Sequence, residues 1–101
     1  MQQNQRASIT GIGSYLPNKV LTNYDLEKMV DTSNDWIIQR TGIKERRIVE
    51  NGVTTSDIAT QASLRAMEDA GVSPKDLDMI ITSTITPDHI FPSTSCYIQQ
   101  K

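Results

Sequence analysis

The chain has 101 residues with 10 basic and 12 acidic side chains, and its net charge of −2 gives it no general affinity for nucleic acid. Its length suits one small domain rather than two. Its single cysteine rules out an internal disulfide, the opening MQQNQRAS has no secretory signal pattern, and no apolar stretch approaches the about 20 residues of a membrane span. We therefore expect a cytoplasmic protein that binds neither nucleic acid nor membrane.

The first predicted elements are a strand and a short helix. Residues 8–17, SITGIGSYLP, place isoleucines among small residues and end at a proline, which is typical of a strand running into a turn. Thr22 and Asp25 then form a capping-box pattern. Apolar residues after this cap fall on one face, which predicts an amphipathic helix over 22–30.

A second helix is predicted in TSNDWIIQRTG. Thr32 or Ser33 can cap its beginning, and Gly42 offers a left-handed end. Trp36 and Arg40 are four residues apart, so this helix places them on one face.

An extended segment and a longer helix follow. Residues 43–50, IKERRIVE, alternate enough to form a strand or an extended arm. Thr54 and Asp57 repeat the capping-box pattern, and Gly71 offers a helix end. One face of this helix carries a row of small or apolar residues four apart, which favours close approach of another element: Ile58, Ala62, Ala66 and Ala70.

The last part of the chain predicts a buried strand and the beginning of a helix. Residues 79–86, MIITSTIT, are uncharged and rich in β-branched side chains, which is typical of a strand buried on both faces of a parallel sheet. After a proline-flanked loop, Ser93 or Ser95 can cap a final helix. The alternation of elements predicts the α/β class and the front portion of a larger protein.

Two glycines match the start of a nucleotide-binding loop. Gly11 and Gly13 occupy the first two positions of a dinucleotide fingerprint, but Leu16 replaces the third glycine and Pro17 follows at once. A tight turn with closely packed backbone therefore explains these glycines better than a phosphate loop.

Two interpretations of Trp36 and Arg40 are open from spacing alone. An indole can stack on a purine while a guanidinium one turn later binds a phosphate, which indicates a nucleotide ligand. Alternatively, Trp36 anchors the core and the bases form a solvated face. The downstream bases would strengthen a positive field in the first case: Lys44, Arg46 and Arg47.

Cys96 and His89 are the only residues able to form a Cys-His pair. Cys96 follows a predicted helix start, where partial positive charge favours a thiolate. The alternative, a small buried hydrophobic residue, is the more common state of a free cysteine. One Cys and one His do not supply the ligands of a structural metal site, so no metal is expected.

Several motifs in order resemble one enzyme family. These are GIGSYLPNKVLTNYDLEKMVDTSNDWIIQRTGIKERR, ATQASLRAMEDAG and MIITSTITPDHIFPSTSCYIQQ, of which TSNDWIIQRTGI is the most specific. The chain resembles the N-terminus of β-ketoacyl-acyl-carrier-protein synthase III, the condensing enzyme that initiates bacterial fatty-acid synthesis.

The resemblance implies a thiolase-like fold, layered α-β-α-β-α in the parent, with residues 1–101 forming about the first half of its N-terminal half. It implies an acyltransferase that moves an acyl group from acyl-CoA, typically acetyl-CoA, to a cysteine. Condensation with malonyl-acyl-carrier-protein and loss of carbon dioxide would follow. It also implies a homodimer and no permanently bound cofactor, coenzyme A thioester being a substrate.

Site roles follow from the resemblance position by position. Trp36 matches an adenine-stacking tryptophan, Arg40 an arginine beside the nucleotide phosphates, and Thr32 a threonine near the same coenzyme. Phe91 matches an aromatic residue that crosses the dimer interface and closes the partner subunit's acyl pocket.

The catalytic cysteine, histidine and asparagine of the family are expected beyond Lys101. The resemblance therefore assigns no catalytic role to Cys96 or His89. Two alternatives stay open: a truncated, non-catalytic fragment that keeps part of the coenzyme-binding face, and a related condensing enzyme that starts polyketide chains.

Overall fold

The computed structural model describes residues 4–101, which form two compact units. One unit is Leu16–Val53, and the other joins residues 4–15 to residues 54–101. Residues 1–3, which belong to the segment searched for a signal pattern, lie outside the described residues.

The Leu16–Val53 unit contains two strands and two helices: β1 Lys19–Thr22, α1 Asn23–Glu27, α2 Asn34–Thr41 and β2 Glu45–Ile48. The strands pair antiparallel, with Lys19 opposite Ile48 and Thr22 opposite Glu45. β2 lies within the extended segment that the sequence predicts, whereas β1 was not predicted. β1 has only four residues, begins shortly after Pro17 and ends at the helix cap Thr22. It is therefore too short for an alternation of apolar and polar residues to predict a strand.

Side-chain caps begin the helices of this unit, and a left-handed glycine ends α2. The Thr22 hydroxyl accepts a hydrogen bond from the Asp25 amide, and the Asp25 carboxylate accepts from the Thr22 amide, which confirms the predicted capping box. Ser33 rather than Thr32 caps α2, accepting from the Trp36 amide at 3.2 Å. Gly42 ends α2 with φ of 71°, as predicted.

A buried asparagine joins the elements of this unit. Asn23 has no solvent exposure, and its Nδ2 donates to the Ile43 carbonyl at 2.8 Å and to Asn34 Oδ1 at 3.1 Å. Arg46 donates to Asn23 Oδ1 at 2.8 Å and to the Leu21 carbonyl at 3.2 Å. Every polar atom of the Asn23 amide is therefore hydrogen-bonded, as burial requires.

The second unit is built on the long helix α3, Thr55–Ala70, with a short 3-10 turn at Pro74–Asp76 and helix α4 at Thr94–Gln100. The predicted capping box of Thr54 and Asp57 is present, and Gly71 ends α3 with φ of 67°. The final helix begins after Ser93, which was one of the two predicted caps.

The small side chains of α3 allow a second chain segment to lie against its backbone. A Cβ added to Gly13 would lie 2.3 Å from the Ala66 nitrogen and 2.4 Å from the Ala62 oxygen. A Cβ added to Gly11 would lie 2.7 Å from the Ala70 Cβ. Ala62, Ala66 and Ala70, called here the alanine row, thus pack against residues 8–17, called here the glycine segment. Close backbone packing accounts for both glycines.

The two strands predicted outside this sheet are wrong. Residues 8–17 and residues 79–86 are neither helix nor strand. Within residues 4–101, no backbone hydrogen bond joins either segment to a neighbouring strand. Ile81, which the sequence predicted to be buried, is 84% exposed. β-branched composition favours a strand only where a partner completes the hydrogen-bond ladder.

Candidate functional site

The candidate site lies on one face of α2, as the helical spacing predicted. The Arg40 guanidinium carbon lies 5.3 Å from the centre of the Trp36 ring, within the range of a cation–π contact. Trp36 remains 54% exposed, while the neighbouring Ile37 is the buried hydrophobic residue of this helix. Trp36 is therefore not a core anchor, and its indole is accessible to a ligand.

An open cavity of about 340 Å³ adjoins the indole. Its lining residues are the polar turn before α2 and the ring itself: Asp31, Thr32, Ser33 and Trp36. Thr32 thus lies beside Trp36, although Ser33 supplies the helix cap. The structure brings together the three residues that the resemblance assigned to coenzyme binding, with Thr32 and Arg40 both next to the indole.

The downstream arginines have structural partners. Arg46 donates to Asn23 and to the Leu21 carbonyl, and Arg47 donates to the Pro17 carbonyl at 3.0 Å. These contacts hold the two-stranded sheet to its surrounding loop. Both guanidinium groups therefore stabilise the fold, and their contribution to a positive field for a ligand stays a prediction.

Cys96 and His89 do not form a pair. The Cys96 sulfur lies 3.4 Å from the Ser93 hydroxyl, and the His89 ring lies 5.4 Å from the ring of Tyr97. No hydrogen bond joins the thiol to the imidazole among the described residues. Cys96 is exposed, which corrects the prediction that it is a small buried hydrophobic residue.

Phe91 lies on an exposed loop between residue 86 and α4. Its side chain is 88% exposed, and the preceding Ile90 is 99% exposed. The structure therefore presents the residue assigned to a partner's pocket at the surface of its own unit.

The base of this loop is fixed by a network that the sequence did not predict. The Ser56 amide and hydroxyl donate to the two carboxylate oxygens of Asp88, at 2.8 and 2.5 Å. Partial burial acts to raise the pKa of Asp88, but these hydrogen bonds outweigh it and the pKa lies below its usual value. The only sequence signal was an acidic residue after a proline.

A lysine completes the network at the beginning of α3. Lys101 Nζ donates to the Ser56 hydroxyl at 2.9 Å and forms an ion pair with Asp57. The hydrogen bond from Lys101, followed by those from Thr54, lowers the pKa of Asp57 to about 2.

Residues 4–101 show neither a membrane-crossing helix nor a metal site. No helix there has the length and apolar character needed to cross a bilayer. No group of three or more His, Cys, Asp or Glu residues in this range could hold a metal ion.

Comparison with known proteins shows that the chain is similar in sequence to one group of enzymes. The chain is 66% identical over 93 residues to a curated β-ketoacyl-[acyl-carrier-protein] synthase III of Caldanaerobacter subterraneus subsp. tengcongensis, covering 92% of this chain and 28% of that protein. It is 56% identical over 101 residues to the protein of that name from Xanthomonas axonopodis pv. citri, covering 31% of it. The chain thus spans less than a third of the length of these relatives. No protein-family model matches it.

Solved structures give the same result. The crystal structure of 3-oxoacyl-[acyl-carrier-protein] synthase III from Aquifex aeolicus VF5 matches with a TM-score of 0.85 and 55% identity, over 91% of this chain and 30% of that one. The priming β-ketosynthase of the R1128 polyketide pathway matches with a TM-score of 0.85 and 34% identity, over 97% of this chain and 31% of that one. The predicted thiolase-like fold is confirmed for the part that this chain covers, and the chain is similar to a part of the β-ketoacyl-[acyl-carrier-protein] synthases III.

Proposed function

We propose that the chain is the N-terminal portion of the condensing-enzyme domain of a synthase that initiates fatty-acid synthesis in the cytoplasm. The whole enzyme would transfer an acyl group from acyl-CoA, typically acetyl-CoA, to a cysteine. It would then condense this group with malonyl-acyl-carrier-protein and release carbon dioxide. The catalytic cysteine, histidine and asparagine would lie in sequence beyond Lys101, so this chain would contribute recognition rather than bond making.

The observation that carries the proposal is the exposed pair of Trp36 and Arg40 on α2. An exposed indole can stack on the adenine of coenzyme A, and base–aromatic stacking contributes about 1–3 kcal/mol. The guanidinium beside it, 5.3 Å from the ring centre, can donate paired hydrogen bonds to a phosphate. Both recognition elements of an adenine nucleotide are therefore present within one helical turn.

Charge favours one orientation of the ligand. Asp31, in the turn before α2, lines the cavity beside Trp36, whereas Arg40 lies one turn after Trp36 along the helix. A phosphate would be repelled by the carboxylate and attracted by the guanidinium. We therefore place the adenine on Trp36, the phosphates toward Arg40, and Thr32 as a hydroxyl partner at the cavity edge.

The remaining assignments concern partners. The synthase would be a homodimer that binds acyl-CoA and malonyl-acyl-carrier-protein, with coenzyme A as part of a substrate and not a resident cofactor. Phe91 would cross the dimer interface and close the partner subunit's acyl pocket. Its 88% exposure in this chain supports a role in contact with another surface.

A polyketide starter enzyme is the second candidate, and it rests on the match to the R1128 priming ketosynthase. The 34% identity of that match is lower than the 55% identity to the Aquifex fatty-acid enzyme at the same TM-score. Fatty-acid initiation is therefore the better supported assignment. Comparing acyl-CoA substrates in the whole enzyme would distinguish the two.

Calorimetric titration of the chain with coenzyme A tests the recognition face. We expect Trp36→Ala and Arg40→Ala each to weaken binding by at least about tenfold, as loss of stacking or of a charge-assisted contact would. Gln39→Ala, on an exposed neighbouring position of α2, and Lys75→Ala, a charge-matched change in the other unit, should leave binding unchanged.

Ligand fragments sharpen this test. ADP should compete with coenzyme A because it carries the adenine and phosphates, whereas pantetheine should not. Competition by pantetheine alone, or full binding by both alanine variants, would refute the assigned face. Absence of any heat at millimolar coenzyme A would mean that the chain alone is an inert or partly folded fragment, which retains neither recognition nor chemistry.

A further inference from the structure

We propose that Asp88 is a positioning residue that fixes the place of Phe91. The segment concerned is residues 86–92, called here the Phe91 loop. Asp88 attaches this loop to the beginning of α3, three residues before the phenylalanine. The acyl-selectivity part of this inference rests on the proposed function, while the positioning itself does not.

The attachment of Asp88 to α3 uses both carboxylate oxygens. One oxygen accepts from the Ser56 amide at 2.8 Å and the other from the Ser56 hydroxyl at 2.5 Å. Ser56 has no solvent exposure, so water does not compete for its hydroxyl or amide. A two-point contact of a carboxylate with one residue fixes direction as well as distance.

Two further contacts hold the loop at its base. The Thr55 hydroxyl donates to the Thr86 carbonyl, which ties the beginning of the loop to α3. The Asp88 amide donates to the Thr94 hydroxyl at 3.4 Å, and Thr94 is buried at the beginning of α4. Asp88 is therefore the residue through which both helices hold the loop.

The tip of the loop has little support of its own. Ile90 and Phe91 are 99% and 88% exposed. Beyond Asp88, the ring contact found within residues 4–101 is between His89 and Tyr97, whose ring centres are 5.4 Å apart. The direction in which Phe91 projects thus depends mainly on the anchor at Asp88 and less on packing of the tip.

Fluorine NMR can read the loop directly, because Phe91 is the only phenylalanine in the chain. With 4-fluorophenylalanine incorporated, Asp88→Asn should move the single resonance toward its value in the urea-unfolded chain. Asp76→Asn is the matched control, because Asp76 forms the same kind of capping box at the 3-10 turn and its hydrogen bonds go to Ser73, not to Ser56 or the Phe91 loop. It should leave the resonance in place.

Circular dichroism shows whether the Asp88→Asn chain keeps its helices, and this decides which variant is used to test the proposal. Where Asp88→Asn keeps the helical signal, an unmoved resonance overturns the proposal. Where it loses that signal, Ser56→Ala replaces it, since this change removes one of the two donors and keeps the other. A partial shift in Ser56→Ala then supports the proposal, and no shift overturns it.

The second readout uses the full-length protein that contains this chain. Asp88→Asn should change the ratio of kcat/KM for a longer acyl-CoA to that for acetyl-CoA by about tenfold, the scale at which pocket shape discriminates methylenes. Asp76→Asn should not change that ratio. A moved resonance with an unchanged ratio would keep the positioning role and refute the proposed pocket role of Phe91.

Discussion

At the scale of single residues, buried polar groups hold the Leu16–Val53 unit together. Asn23 is fully buried and joins α1 to the start of α2 and to the segment leading into β2, through partners 11 to 23 residues away. Removing such a group costs more than the hydrogen bonds it made, because its partners lose theirs as well.

We expect Asn23→Ala to lower the free energy of unfolding by about 2–4 kcal/mol. The change leaves the Ile43 carbonyl and one Arg46 donor without their partner. Urea unfolding followed by circular dichroism measures this loss. The exposed substitution Gln39→Ala should stay within about 0.5 kcal/mol of the parent chain, and an equally small effect of Asn23→Ala would contradict the role of this asparagine.

Asp57 makes stability depend on acid pH. Its pKa in the folded chain is about 2, below its ordinary value of 3.8, so the folded state favours the charged carboxylate. The resulting stabilisation is present above about pH 4 and is lost as the pH falls toward 2. We expect Asp57→Asn to flatten this part of the curve of unfolding free energy against pH. Identical slopes in the two proteins would contradict the prediction.

Single residues also show which contacts can be predicted from the sequence and which cannot. The capping boxes of Thr22 with Asp25 and of Thr54 with Asp57 were predicted because both partners lie within three residues. The anchor between Ser56 and Asp88 was not, since 32 residues separate the partners and only the fold brings them together. Trp36 and Arg40 could be placed on one face from helical spacing, but their exposure could not.

At the scale of elements, α3 and the glycine segment are fitted to each other. The alanine row gives α3 a flat face, and Gly11 and Gly13 let the segment reach its backbone. The sequence correctly predicted helix α3 and the close approach of another element to it. It wrongly predicted that the approaching segment is a strand. Residues 8–17 have the composition of a strand without the hydrogen-bond ladder that defines one.

Gly13→Ala should be strongly destabilising, because its Cβ would lie 2.3 Å from a backbone nitrogen of α3, which cannot rotate away. Overpacking of this kind costs about 1–3 kcal/mol or more. Thermal unfolding monitored by circular dichroism should show a lower Tm than in the parent chain. The exposed Ser8→Ala, in the same segment, should unfold at the parent temperature, and a Gly13→Ala chain that did the same would exclude close packing here.

At the scale of the whole molecule, hydrogen bonds are unevenly distributed. Helix α3 satisfies its backbone internally, while residues 79–86 make no backbone hydrogen bond to a neighbouring strand within residues 4–101. A buried sheet strand was predicted there from composition. The composition of residues 79–86 favours a strand, but a strand forms only where a neighbouring strand offers hydrogen-bond partners. The composition of the segment does not specify that neighbour.

Amide hydrogen exchange should show this difference. We expect the amides of residues 79–86 to exchange at close to unprotected rates, and those in the centre of α3 to be slowed by orders of magnitude. Mass spectrometry of peptides from the exchanged chain measures both. Strong protection of 79–86 in the chain at low concentration would mean that a ladder forms there and would contradict the structure.

The position of the single tryptophan determines what optical experiments can report. In most small proteins the indole is shielded, so its emission shifts to longer wavelength on denaturation. Here the indole of Trp36 already meets solvent on α2, beside a guanidinium. Its fluorescence should therefore change little with urea and respond mainly to a base stacked on the ring, which makes it a titration signal for the ligand and a poor monitor of unfolding.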